Sequence, residues 1–413
     1  MLSVTEALIL VLQCAQKGVV ERISLTDALN RSLAEELVAT QDSPPFDKSL
    51  MDGFAVAATS LASAADESAV DLPIVETITA GCVPTARIHD GNASRIMTGA
   101  PLPVGCDCVV PIEQSQFDER FPDTVRIPLS AMRPEANLMR QGTAARAGSR
   151  LLGPGTRIQP QHIAALAEFG IGIVPVHRTP TVAVLATGDE LIPFDQPLQP
   201  GRIRNSNEPM LLAQVSACDA ISVSLGIARD NDEELLARIQ LGLRQDVLLL
   251  TGGVSVGLLD LVPKQLAKAG VQEIFHGVNM KPGKPLWFGT LEADGRRCLV
   301  FGLPGNPVSS LACFELFVRP ALNLLSGRTV AARELFAVLS QSITVKGNRP
   351  TYYPALISVV DGRLTATPVP WSGSSDLRAT VEANGMTLLN PDHGTYTVGQ
   401  PVAVWLWGNG RID

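Results

Sequence analysis

The sequence predicts a multidomain protein that joins an α/β unit to all-β modules. Three observations carry this expectation. First, 413 residues, 46% hydrophobic and 18% charged, amount to about two to four domains able to bury sizeable cores. Second, apolar runs alternate with helical patterns between 180 and 325, as in a parallel sheet covered on both faces. Third, short β-type runs separated by Gly and Pro fill 54–130 and return from 335 to the end, the pattern of small β units.

Taken in order, residues 3–17 read as an amphipathic helix opened by the capping box Ser3-Val4-Thr5-Glu6. Residues 26–36 read as a second helix capped by Thr26. Asp42-Ser43-Pro44-Pro45-Phe46-Asp47 is turn chemistry and a plausible boundary. Strands are expected at 72–79, 94–98, 108–112 and 124–127, followed by an Arg- and Gly-rich loop over 137–150. A short helix over 161–169 ends at Gly170. Buried strands are then expected at 181–186, 220–227, 246–250 and 298–301. Helices at 208–218 and 232–243, the latter with Asp232 as N-cap, separate the first three. A long helix runs to about 325, and the last strand is expected at 401–407. No repeat of 20–50 residues occurs.

Composition excludes several functions. A net charge of -8 and 5% aromatics argue against nucleic-acid binding. The seven cysteines include no C-x-x-C, and their odd number in apolar surroundings reads as reduced, buried thiols of a cytosolic protein. The five histidines form no H-x-x-x-H, which disfavours zinc hydrolysis. No apolar run is expected to span a membrane, and the short apolar stretch 7–12 lacks the basic flank of a signal peptide. The expected address is the cytoplasm.

In a parallel α/β sheet, ligands bind at the carboxyl ends of the strands. Three strand-end loops are candidates there. They are Thr187-Gly188-Asp189-Glu190, Thr251-Gly252-Gly253-Val254-Ser255-Val256-Gly257, and Gly302-Leu303-Pro304-Gly305-Asn306-Pro307. Glycines let backbone N–H groups approach a phosphate, and the third loop opens a helix. None matches a P-loop or a dinucleotide fingerprint. Lys281-Pro282-Gly283-Lys284-Pro285 holds two cations on a stiff turn, suited to an anionic ligand. Asp189, Glu190, Asp230 and Asp260 gather at the same ends, where Mg²⁺ would find a few carboxylates beside phosphate oxygens. Alone, each carboxylate is equally a cap or a solvated surface group. Asp52, before Gly53, alone reads as a turn residue.

Together these segments resemble the molybdopterin molybdenumtransferase family, which includes the E domain of gephyrin and its plant counterpart. The likeness runs from about residue 3 to 410. It rests on 42–55, Arg95-Ile96-Met97-Thr98-Gly99-Ala100-Pro101-Leu102-Pro103, 108–113, 186–191, 251–257, 281–285 and 302–309, in the family's order. The resemblance implies an elongated helical domain (1–44 and 138–178) and a β domain inserted in it (45–137). It also implies a three-layer α/β molybdopterin-binding domain (179–327) and a C-terminal β-barrel (328–413). It implies a homodimer whose site lies between the α/β and barrel domains of one subunit and the inserted β domain of the other. The reaction implied consumes adenylylated molybdopterin and molybdate with Mg²⁺ and releases AMP. Molybdopterin adenylyltransferase and apo-molybdoenzymes are implied partners.

By matching positions, the resemblance makes Asp52, Thr98, Glu190, Asp230 and Asp260 catalytic, with Glu190, Asp230 and Asp260 as metal ligands. Gly252, Gly253, Ser255, Lys281, Lys284, Pro304 and Pro307 are implied to bind the phosphorylated ligand, and Arg349 and Ser374 to face molybdate. The chain departs from the family pattern at Thr143 and Ala144, where relatives carry Glu-Asp, at Leu258, where many carry an acid, and near Pro354, where a second arginine often stands. Two other readings compete: a catalytically impaired binding or scaffold paralogue, and an enzyme using only the α/β unit, such as molybdopterin adenylyltransferase or a CinA-like enzyme. The retained carboxylates and lysines argue against the first. The Met51-Asp52-Gly53 segment and the barrel argue against the second.

Overall fold

Continuous burial along the apolar runs, which cover both faces of each strand, dictates the central layer. The computed structural model describes residues 1–61, 68–253, 261–329 and 334–408. The first helix is α1 (Val4–Cys14), capped as its sequence predicts, with the Ser3 hydroxyl accepting from Glu6 N and the Glu6 carboxylate accepting from Ser3 N. A ribbon follows, β1 (Val20–Ser24) against β2 (Ile173–His177). The α/β layer runs β3 (Thr181–Thr187), α2 (Asn207–Ser216), β4 (Ile221–Ala228), α3 (Asp232–Gly242), β5 (Val247–Thr251) and α4 (Leu261–Lys268). It continues with β6 (Gln272–His276), β7 (Trp287–Ala293), β8 (Arg296–Leu303), α5 (Pro307–Cys313) and α6 (Arg319–Leu325).

The sheet order is β4-β3-β5-β8-β7-β6. The first four strands are parallel; β7 and β6 add antiparallel to β8. The expected parallel sheet is therefore mixed. The hairpin β7–β8 turns on Asp294 and Gly295, both at positive φ, the conformation of a two-residue hairpin loop. Successive residues face opposite layers. Val182, Val184, Val247, Leu249, Leu299 and Phe301 pack with α1, α2, α5 and α6. Ala183, Leu185, Leu248, Leu250, Cys298 and Val300 pack with α3 and α4. The result is the three-layer arrangement the resemblance implies.

The stretch Pro307–Leu325 is 19 residues long with a mean hydropathy of 1.4, longer than any apolar run expected from the sequence. It is 83% buried, so it is a core helix of this layer. A π-type turn, Phe314–Val318, joins its two halves.

The C-terminal barrel closes in the order β9 (Leu335–Leu339), β11 (Arg363–Pro368), β10 (Thr351–Val360), β12 (Gly385–Leu389) and β13 (Pro401–Leu406). Closure removes free sheet edges. Tyr352 and Met386 of the barrel join the core beside α1, α5 and α6.

The chain divides into two compact units. The elements above belong to Met1–Ala34, Pro154–Pro160 and Ile173–Asp413; the other unit is Glu35–Gly153 with Gln161–Gly172. The second unit holds a five-stranded sheet ordered Cys108–Pro111, Gly53–Val56, Ala93–Ile96, Ala69–Ile78, Thr124–Pro128. Its core is Phe54, Val56, Leu72, Val110, Val125 and Ile127. Gly53 was not expected in a strand. A Cβ there would collide with the Val110 carbonyl, so only glycine lets these two strands pair.

Two local expectations fail. The helix over 26–36 is only a 3-10 turn, Leu25–Asp27. Asn30 adopts φ 65°, and the N–H groups of Asn30, Leu33 and Ala34 donate to Ile158, Thr156 and Pro175, long-range partners that replace a helical ladder. At α3 the cap is Asn231, not Asp232: the Asn231 side chain accepts from Glu233 N and Glu234 N. Asp232 instead pairs with Lys264 and Lys268 of α4.

Candidate active site

Three of the four parallel strands, β3, β5 and β8, end in loops that contain glycine. After β3, Gly188 takes φ 144° and the Glu190 carboxylate folds back over the space a Cβ would need. After β5, Gly252 takes φ 95°, and a Cβ there would strike the Thr187 carbonyl. After β8, Pro304 and Gly305 lead into Pro307 at the start of α5. Asn207 of α2 ties two of these loops together, donating to Thr251 Oγ1 at 2.7 Å and to the Gly305 carbonyl at 2.8 Å. Arg229 donates to the carbonyls of Asp189 and Leu191, and Asp230 N donates to Asp189 Oδ1 at 3.2 Å. That stitches the loop carrying Asp230 to the loop carrying Glu190.

These loops surround a cleft of about 390 Å³ lined by Glu190, Asn207, Gly252, Pro285, Pro304 and Pro307, among others. The Asn207 side chain has one buried atom, Oδ1, that no partner among the described residues satisfies. A buried acceptor without a donor is costly in the free protein and is ready for a ligand N–H.

A further cleft, about 300 Å³, lies between the Lys281 loop and the barrel. Lys281 N donates to the Pro350 carbonyl, and Tyr352 N donates to the Lys281 carbonyl, so the loop is an extension of the barrel edge. Gly283, at φ 115°, leaves no room for a side chain against Cys313 and Met280. Lys281 Nζ stands 5.8 Å from the Trp371 ring centre, and Tyr353 meets that ring edge-on at 5.1 Å. Lys346, Thr351, Ser372 and Gly373 also line this cleft. Trp371 Nε1 is buried with no acceptor among the described residues.

In the other unit, Asp52 and Thr98 meet. Asp52 Oδ1 accepts from Thr98 N at 2.6 Å and from Thr98 Oγ1 at 2.7 Å. These donations, main chain first, hold the Asp52 carboxyl below the usual carboxylate range. The surrounding segment is fixed by side chains: Asp47 accepts from Arg140 Nη1 and Gln141 N, and Asp42 from Ala147 N and Gln141 Nε2.

Comparison with known proteins decides the family. The MoeA N-terminal region (domain I and II) matches residues 2–170, a probable molybdopterin binding domain 183–324, and the MoeA C-terminal region (domain IV) 337–407. The molybdopterin molybdenumtransferase of Bacillus subtilis is 36% identical over 98% of this chain and 93% of its own. This chain belongs to the molybdopterin molybdenumtransferase family. Its relative in Synechococcus elongatus is 34% identical over 93% of this chain and 94% of its own. A molybdopterin biosynthesis MoeA protein from Pyrococcus horikoshii superposes with a TM-score of 0.84 at 29% identity, covering 99% and 100% of the two chains. Family members insert molybdenum during molybdenum-cofactor biosynthesis, and this chain is a transferase of that kind.

Seen as a molybdenumtransferase, the chain places its expected residues in three groups. Glu190, Gly252, Pro304 and Pro307 line the strand-end cleft, and Asp230 and Gly253 stand at the same loop ends. Lys281 lines the barrel cleft, while Lys284 is exposed on the loop between the two. Ser374 accepts from Asn306 Nδ2 at 3.0 Å, and its carbonyl accepts from Val308 N, docking the 371–375 segment on the start of α5. Arg349 donates to the Met280 carbonyl at 3.1 Å, beside Lys281 but outside the lining of either cleft. Ser255, Leu258 and Asp260 lie outside the described residues. Among the described residues, no three carboxylate, histidine or cysteine groups gather in a metal-binding cluster.

Two departures from the family pattern have a visible setting. At 143 and 144 the loop is held by its main chain, with Ala144 N and Ala145 N both donating to the Ser43 carbonyl. Pro354 is buried in β10 opposite Met386, where an arginine would have no water. Asn207, Lys346, Tyr353 and Trp371 were not anticipated. Asn205-Ser206-Asn207 before an apolar helix was the available signal for the first, and Trp371 beside the Ser374 segment for the last.

Proposed function

We propose that this transferase takes adenylylated molybdopterin and molybdate, cleaves the pyrophosphate link in a Mg²⁺-dependent reaction, and releases AMP with the molybdenum cofactor. The observation that carries this reading is the pair of clefts flanking the Lys281 loop. One is built from Gly-rich strand ends and carboxylates, the other from cations and an unpaired indole N–H.

The chain's own groups divide the work. Gly252 and Gly253 let main-chain N–H groups approach phosphate oxygens. Asn207 Oδ1 accepts a ligand N–H and so orients the pterin side. Lys281 and Lys346 hold a tetrahedral oxyanion in the barrel cleft, with Trp371 Nε1 as its neutral donor. Lys284 stabilises charge that develops on the departing phosphate. Two or three carboxylates beside phosphate oxygens suit Mg²⁺, and Glu190, Asp230 and Asp260 would hold it. When bound, the metal neutralises phosphate oxygens and favours displacement at phosphorus.

We further propose that the chain acts as a cytoplasmic homodimer with the four-domain division given above, with Asp52 and Thr98 supplied to each site by the partner subunit. AMP release, measured with and without molybdate, tests the central reading. Release that depends on molybdate and is lost in Asp230→Ala is expected. Wild-type protein that binds the adenylylated ligand without turning it over would leave the scaffold reading in its place.

A further inference from the structure

The amino-terminal ends of β3, β5 and β8, opposite the loops just described, border a separate cleft of about 400 Å³. Among the described residues, its charged lining is Lys17, Arg178, Arg296 and Arg297 against a single carboxylate, Asp246. In a chain of net charge -8, four cations facing one anion is a local reversal of sign.

The one carboxylate is already used. Asp246 Oδ1 accepts from Arg178 Nη2 at 2.5 Å, and Oδ2 accepts from Thr181 N at 2.7 Å and Thr181 Oγ1 at 2.9 Å. Arg297 is also committed, to the Cys14 carbonyl at the end of α1 and to Glu292. Among the described residues the Arg296 side chain donates once, to the Arg244 carbonyl at 3.0 Å; it stands 3.9 Å from Asp246 and is 60% exposed. Lys17 makes no hydrogen bond or ion pair among the described residues. Two cations thus have donors to spare, backed by two more held in place.

Main-chain hydrogen bonds tie the walls together. A Cβ on Gly18 would press on the Leu325 carbonyl at 2.8 Å, and Gly18 N donates to that same carbonyl. Arg178 N donates to the Val19 carbonyl. The chain bearing Lys17 is therefore laid against the end of α6, and Leu299 and Leu325 supply an apolar floor. The hairpin turn at Asp294 and Gly295 fixes where Arg296 and Arg297 emerge.

From this arrangement we propose that the cleft is a binding site for a small soluble ligand bearing a phosphate-type, multiply charged anion. Lys17 and Arg296 grip it, and Arg178 and Arg297 supply a fixed positive field. The site is separate from the clefts assigned to the transfer reaction and does not depend on that assignment.

Calorimetric titration with pyrophosphate, without divalent metal and at low ionic strength, tests the proposal. The background is the Lys281→Ala/Lys284→Ala variant, which removes the lysines of the other anion site. Saturable one-to-one binding should persist there and weaken at least tenfold when Lys17→Ala and Arg296→Ala are added. Lys17→Arg should keep the affinity, and added salt should weaken it steeply. Both residues are exposed, so melting temperatures should match the background and exclude misfolding. Absence of saturable binding in the background overturns the proposal, as does binding indifferent to Lys17→Ala/Arg296→Ala.

Discussion

Asp52 shows how a residue readable only as a turn acid becomes a fixed anion. Its carboxylate takes both donors of Thr98, and these hold it ionised below the usual carboxylate range. A carboxyl depressed in the folded state keeps its contacts at neutral pH and loses them only as pH falls through that depressed value. Thr98→Val removes Oγ1 but keeps the main-chain N–H. It should move the Asp52 titration upward toward the ordinary value, readable by carboxyl ¹³C NMR; an unmoved titration would contradict the geometry. The acid limb of the activity profile should likewise come from a group other than Asp52. The cysteines allow a second test at this scale. Burial pushes the thiols of Cys106 and Cys298 up to about 12, and Cys313 higher still. Cys82 is exposed, against the expectation of uniformly buried thiols, and Cys14 is half-buried. A thiol reagent at pH 8 should therefore react quickly with Cys82 in the native protein, and with the five buried cysteines only after unfolding.

At the scale of elements, the long helix through the core carries a buried charge pair at its π-type turn. Arg319 donates to Glu315 through Nε at 2.6 Å and Nη2 at 2.8 Å, with side chains only 3% and 2% exposed. Gln214 donates to Glu315 as well, and Arg319 donates to Cys218 Sγ. Removing one partner strands the other charge, so Glu315→Gln should cost about 3 kcal/mol. Glu315→Leu combined with Arg319→Met should cost less than either single change. Denaturant unfolding checks both, and a near-neutral Glu315→Gln would show the pair to be already solvated. The same scale shows what sequence can and cannot disclose. β3, β5 and β8 are legible because burial on both faces makes them continuous apolar runs. β6 is an edge strand with exposed Gln272 and Glu273, so its pattern is broken and its hairpin with β7 is missed. The false helix at 26–36 had acceptable local residues; what overrode it was pairing with chain more than a hundred positions away. Within the site, glycines, lysines and acids announce themselves by type. Asn207 and Trp371 do not, because an unpaired buried atom exists only once the neighbours are in place.

At the scale of the whole molecule, the residues of one proposed site are divided between two compact units: Asp52 and Thr98 in one, Glu190, Asp230 and Lys281 in the other. The proposed homodimer draws Asp52 from one subunit and Asp230 from its partner. Two-fold symmetry then gives two equivalent composite sites per dimer. Asp52→Ala and Asp230→Ala should each be inactive as homodimers. Mixed under conditions of subunit exchange, they form heterodimers in which one site collects both lesions and the other collects none. Random exchange makes half of the dimers mixed, so about a quarter of all sites are intact and activity should return to about 25% of wild type. If both residues served a site within one subunit, every site would carry one lesion and mixing would restore nothing. Exchange is verified by native mass spectrometry of differently labelled subunits. Inactivity after verified exchange would reject the shared site, yet it would leave the family membership and the two clefts of the larger unit as they stand.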